Sequence, residues 1–175
     1  MPRLHVCPLS HLAETVATTG ASHLATLINT GTPVERPASI APEHHLFLGF
    51  NDIVEEVEGL RAPSTEDVER LLAFVDAWDG NRPMVIHCWA GISRSTAAAY
   101  VAACRRMPGR DEAEIAGRLR ELSPTATPNA RFVRLADTLL GREGRMAAAI
   151  AAIGRGSDAW EGTPFALSLD GEDAR

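Results

Sequence analysis

The stretch Met84-Val85-Ile86-His87-Cys88-Trp89-Ala90-Gly91-Ile92-Ser93-Arg94-Ser95-Thr96 constrains this chain more than any other. Met84 to Ile86, apolar and rich in β-branched residues between Pro83 and a glycine-containing loop, predicts a buried central strand. An alanine-rich run from Thr96 to Cys104 predicts a helix directly behind it. Strand, tight loop and helix N-terminus in that order aim backbone N–H groups and the positive end of a helix dipole at one point. That is a ready anion site.

The residues in the loop decide its chemistry. Cys88 ends the strand and Arg94 stands where the helix begins. Several N–H donors, a helix end and a guanidinium favour a thiolate over a thiol, and the thiolate is the nucleophile. Arg94 presents a planar fork that matches two oxygens of a phosphoryl group. Gly91 permits a backbone conformation closed to other residues and lets the loop wrap closely around a ligand. The loop residues Trp89, Ala90, Gly91, Ile92, Ser93 and Arg94 are therefore the expected substrate-binding set. Ser95 can give its hydroxyl to the Cys88 sulfur and ease its departure from a covalent intermediate. His87 is expected to orient the loop from behind through hydrogen bonds to backbone.

The remaining chain fits around this unit. A first strand is expected over Leu4-His5-Val6-Cys7, then a helix over His11–Thr18 with Ser10 as N-cap and Gly20 as its stop. Leu24–Asn29 and Leu46–Phe50 read as further strands, the latter leading to Asn51-Asp52. Ser64-x-x-Asp67 opens a helix whose Val68, Leu71, Leu72, Val75 and Trp78 share a face. Strands alternating with helices predict an α/β fold, a mainly parallel central sheet flanked by helices, with ligands outside the carboxyl ends of the strands. Asp52 and Cys88 both fall at such ends. Helices follow at about 95–106, 111–122, 128–140 and 142–153, with Thr127 capping the third and Pro128 at its first position. Residues 1–153 are expected to form a single catalytic domain, and 154–175 an extended arm on its surface with a partly disordered end.

With 175 residues, the chain suits one domain with a sizeable core. A net charge of −6 argues against nucleic acid or an anionic membrane as partner. All 17 basic residues are Arg, which with the abundance of Ala and Gly suggests a GC-rich bacterial genome. Cys7, Cys88 and Cys104 lack metal or disulfide spacing, which points to a reducing, cytoplasmic setting. No apolar run is long enough for a membrane span. The histidines show no ligand spacing, so neither metal nor cofactor is expected.

His87, Cys88, Arg94 and Ser95, with Gly91 between them, resemble the signature of the cysteine-dependent protein tyrosine phosphatase superfamily: His-Cys, five residues, Arg, then Ser or Thr. The resemblance extends over roughly Leu24 to Leu140 and implies a dual-specificity-like phosphatase fold. In that group the general acid is an Asp on a loop upstream of the cysteine, after a strand. Leu48-Gly49-Phe50-Asn51-Asp52 is similar to that segment, so Asp52 is the implied acid. Glu55, Glu56 and Asp67 stand in reserve, Asp67 being better explained as a helix cap. Pro128-Asn129 with Phe132 is similar to the segment that supports the phosphate loop, which implies that Asn129 hydrogen-bonds that loop.

The resemblance implies a phosphomonoesterase, acting on a phosphorylated protein or a small phosphomonoester through a phosphocysteine on Cys88. The loop has no Lys, which disfavours polyanionic substrates, and Trp89 adds an apolar wall that suits an aryl phosphate such as phosphotyrosine. Two other readings use the same loop: a silent module that binds phosphotyrosine or phosphate without turnover, and a sulfurtransferase or arsenate reductase. Asp52 and Ser95 beside Cys88 weigh against the first, and the lack of accessory resolving cysteines against the second. Cys7 could neighbour Cys88 if the first strand lies next to the central one, although burial as packing is the simpler expectation.

Overall fold

In a computed structural model, which describes residues 2–170, Arg3–Pro8 (β1), His23–Ile28 (β2), His45–Gly49 (β3) and Met84–Cys88 (β4) run parallel. Phe165–Ser168 (β5) pairs antiparallel with β1, and the sheet order is β3-β2-β4-β1-β5. Every residue of β2 and β4 is buried, as expected of central strands in a sheet covered on both faces. The α/β class with a mainly parallel sheet is as the sequence predicts.

Among the described residues six α-helices cover that sheet: Leu12–Thr19 (α1), Thr65–Ala77 (α2), Arg94–Arg106 (α3), Glu112–Leu122 (α4), Ala130–Leu139 (α5) and Arg145–Ile153 (α6). Strand alternation sorts them into two layers. Leu4, Val6, Met84 and Ile86 face the large core built with α2 to α6, whereas Cys7, Leu24 and Val85 meet Leu12 and Val16 of α1 on the other side. Helix α3 lies at the centre, buried from Arg94 to Cys104, which explains its run of small alanines between the sheet and α5. Tyr100 is fully buried there, its hydroxyl donating to Glu112 O at 3.2 Å. No helix among the described residues is long and apolar enough to cross a membrane.

Several boundaries differ from expectation. Ser10 does not cap α1: a 3-10 turn over Leu9–His11 intervenes, and the Ser10 hydroxyl donates to Glu161 Oε2 at 2.9 Å instead. Thr127 does not cap α5 either. That place belongs to Asn129, whose Oδ1 accepts from Phe132 N–H at 3.0 Å, and Pro128 stands before the helix. At Ser64 the reciprocal capping box with Asp67 is formed, with Arg61 on the second side of the carboxylate. Beyond α6, residues 154–164 run without regular structure to β5. Of the arm expected over 154–175 with a partly disordered end, residues 171–175 lie outside the described residues.

Candidate active site

Cys88 is the last residue of β4 and Arg94 the first of α3, so the whole loop spans residues 89–93. Its peptide planes are set from outside by four hydrogen bonds from three separate segments. Leu9 N–H donates to Trp89 O at 3.1 Å, Gly162 N–H to Ala90 O at 2.8 Å, Thr127 N–H to Ile92 O at 2.9 Å and Asn129 N–H to Ser93 O at 3.3 Å. A trans peptide points its C=O and N–H in opposite directions. With the carbonyls of 89, 90, 92 and 93 drawn outward, the N–H groups of Ala90, Gly91, Ser93 and Arg94 turn to the loop interior. Gly91 N–H accordingly donates to Cys88 Sγ at 3.2 Å. Gly91 has φ +69°, and a Cβ there would come within 2.7 Å of Pro8 N, so both conformation and space require glycine.

Around the sulfur stand the side chains that the loop sequence singled out. Ser95 Oγ lies 3.1 Å from Cys88 Sγ. Arg94, 7% exposed, is gripped from behind, its Nη1 donating to Asn29 Oδ1 and Phe50 O, each at 2.7 Å. Its Nε is buried with no hydrogen-bond partner. A buried guanidinium N–H left unpaired is costly, and an oxyanion seated in the loop satisfies it. Asn29 escaped the sequence reading. The one available signal was its place at the carboxyl end of the predicted second strand, the same edge of the sheet as Cys88.

Asp52 lies in the loop after β3 and reaches the same cavity, of about 550 Å³, whose lining includes Cys88, Trp89, Ala90, Ile92, Ser93 and Arg94. Its Oδ1 accepts from Ser93 Oγ at 2.7 Å and from Asn129 Nδ2 at 2.8 Å. The Asn129 side chain thus holds the Asp52 loop, and only its main chain reaches the 89–93 loop. Of the reserve acids, Asp67 is buried as the α2 cap and Glu56 pairs with Arg131, while Glu55 sits exposed in the loop beyond Asp52.

His87 lies behind the loop in a buried chain: His45 Nε2 to Thr26 Oγ1 and Thr26 Oγ1 to His87 Nε2 are each 2.8 Å, and His87 Nδ1 to Cys88 O is 3.2 Å. The carbonyl can only accept, which places a proton on Nδ1 and makes Nε2 the acceptor of the Thr26 hydroxyl. Burial pushes the His87 pKa down to about 4, so the imidazole stays neutral.

Cys7 is paired in register with His87, so its side chain points to the α1 face, away from Cys88. Burial raises its thiol to about 11, and that of Cys104, inside α3, to about 12. Both belong to the packing.

No protein-family model matches the chain, and neither does any curated protein. Solved structures do. The PTP-2 phosphatase of Cydia pomonella superposes with a TM-score of 0.61 at 19% identity, over 77% of this chain and 84% of that one. Human DUSP28 gives 0.61 at 19%, over 80% and 92%. PTPMT1 in complex with PI(5)P gives 0.58 at 13%, over 85% and 90%. The chain has the cysteine-dependent protein tyrosine phosphatase fold, in its dual-specificity form.

Proposed function

We propose that the protein is a metal-independent phosphomonoester hydrolase, most naturally a protein tyrosine phosphatase, working through a phosphocysteine. The observation that carries this reading is one cavity lined by Arg94, with its buried Nε unpaired, by Cys88, whose sulfur already receives Gly91 N–H, and by Asp52. The Cys88 thiolate attacks phosphorus; the P–S bond forms as the P–O ester bond breaks, and Asp52 gives its proton to the departing oxygen. The inward N–H groups and Arg94 hold the equatorial oxygens throughout. Water then attacks the phosphocysteine, Asp52 takes its proton, the P–S bond breaks with Ser95 hydrogen-bonding the leaving sulfur, and inorganic phosphate departs.

Among the described residues, Arg94 is the only cationic side chain in the cavity lining, and Asp52 is acidic. One phosphoryl group has its charge met there; a second would not. This supports a monoester on a protein or small molecule over the multiply charged head group of a phosphoinositide such as the one bound to PTPMT1.

The test is hydrolysis of p-nitrophenyl phosphate in EDTA by wild type, Cys88→Ser and Asp52→Asn. The expected result is metal-independent turnover that Cys88→Ser abolishes and Asp52→Asn lowers by about 100-fold or more, the range of general acid catalysis. A folded wild type that binds phosphotyrosine peptide but turns nothing over overturns the enzyme reading in favour of a binding module.

A further inference from the structure

Two tryptophans line the Cys88 cavity, and one comes from outside the strand-loop-helix unit. Trp160 sits on residues 154–164, the strap between α6 and β5, and its side chain touches almost nothing, at 94% exposure. The backbone that carries it is pinned on both sides. Before it, Arg120 Nη2 donates to Gly154 O at 2.8 Å, Gly156 N–H to Thr127 Oγ1 at 3.0 Å and Ser157 N–H to Pro124 O at 2.9 Å. After it, Glu161 accepts from Ser10 at 2.9 Å, Gly162 N–H donates to Ala90 O at 2.8 Å, and β5 locks onto β1.

Glycine makes this close approach possible. A Cβ on residue 156 would come within 2.5 Å of the Thr125 carbonyl, and one on residue 162 within 2.8 Å of Gly91 O. The strap is thereby fastened to the loop 89–93 itself, and it fixes the backbone from which the exposed Trp160 indole lines the cavity. Single exposed apolar side chains are common on protein surfaces; Trp160 is set apart by lining the same cavity as Cys88 and Trp89.

We propose that Trp160 is a specificity-determining residue, which with Trp89 walls a slot over Cys88 that takes the ring of an aryl phosphomonoester, phosphotyrosine in a protein chain. This rests on the hydrolase reading above. A phosphoryl group seated in the loop puts its ester oxygen toward the cavity mouth, so whatever that oxygen carries leaves along the walls the two indoles supply. Trp89 is itself 60% exposed, and Trp160 at 94% is not packed on it, so both aromatic faces are available to a substrate ring. A phenyl ring gains stacking or edge-to-face contact there, whereas the single methylene of phosphoserine has no π face to offer.

The test uses the full chain and two peptides identical except for phosphotyrosine or phosphoserine, with inorganic phosphate as a competitive inhibitor that reads the anion site alone. In Trp160→Ala the ratio of kcat/KM values, phosphotyrosine over phosphoserine, is expected to fall about fivefold, the size of an aromatic contact. Phosphate inhibition is expected to move by less than twofold, and Trp160→Phe to restore most of the ratio. An unchanged ratio, or a wild type without preference for the aryl peptide, overturns the proposal. If wild type hydrolyses neither peptide, the hydrolase reading fails separately, and calorimetric affinities decide. Loss in Trp160→Ala confined to the phosphotyrosine peptide then upholds the slot, and equal affinities overturn it.

Discussion

At the scale of single residues, His87 serves by staying uncharged. Its folded pKa of about 4 lies below the 6.5 of an unfolded chain, so protons bind the unfolded state first as pH falls. Its contribution to stability is complete above pH 6.5 and is lost progressively between 6.5 and 4, by about 3 kcal/mol at most. Denaturant unfolding at pH 7, 5.5 and 4 should show this decline. His87→Gln should flatten it and leave the part due to His5, His23 and His45, which burial also lowers. An equally steep decline in the variant would remove His87 from this role. Residues whose task depends on their own neighbours in sequence, Cys88, Gly91, Arg94 and Ser95, were readable from spacing. Asn29 was not, because its task is to hold Arg94 across two strands, and no local pattern encodes that contact.

Helices begin where their orphaned first-turn N–H groups find acceptors, and this governed which starts could be read. Ser64 and Asp67 cap α2 from within their own segment, and the sequence showed it. Helix α6 is different. Its start, at Gly144 with φ +84°, has no cap of its own. Asp137 from α5 supplies the acceptors, taking Gly144 N–H and Met146 N–H at 2.7 Å each and Ala147 N–H at 3.1 Å. Asp137 is 4% exposed, so Asp137→Ala leaves three donors short of a partner. A loss of about 2 kcal/mol in chemical denaturation is expected, with kcat on p-nitrophenyl phosphate within a factor of two. No loss of stability would mean that water caps α6 equally well. The same logic explains Ser10: a cap-type residue at a plausible spacing was drawn instead to Glu161, a contact made only after the strap returns.

For the whole molecule, the return of the chain after α6 closes both the sheet and the site. Without β5, β1 would be an open edge beside β4, and Leu167 and Leu169, 2% and 7% exposed, would leave the core. Phe165-Ala166-Leu167-Ser168 is too short and too irregular to announce itself as a strand; its partner, not its sequence, makes it one. Burying two leucines is worth about 3–6 kcal/mol, a large part of the 5–15 kcal/mol typical of a domain. A chain ending at Ile153 should therefore melt roughly 10–20 °C lower and associate as its concentration rises, since an exposed edge pairs with other copies. It should also lose activity on phosphoserine as well as phosphotyrosine peptides, because Gly162 N–H no longer fixes the peptide whose N–H meets Cys88 Sγ. The loss on the phosphoserine peptide reads the bracing role of the strap, and the additional loss on the phosphotyrosine peptide reads the selectivity assigned to Trp160. A shortened chain that melts unchanged, stays monomeric and keeps full turnover would show that residues 154–170 merely lie on the surface.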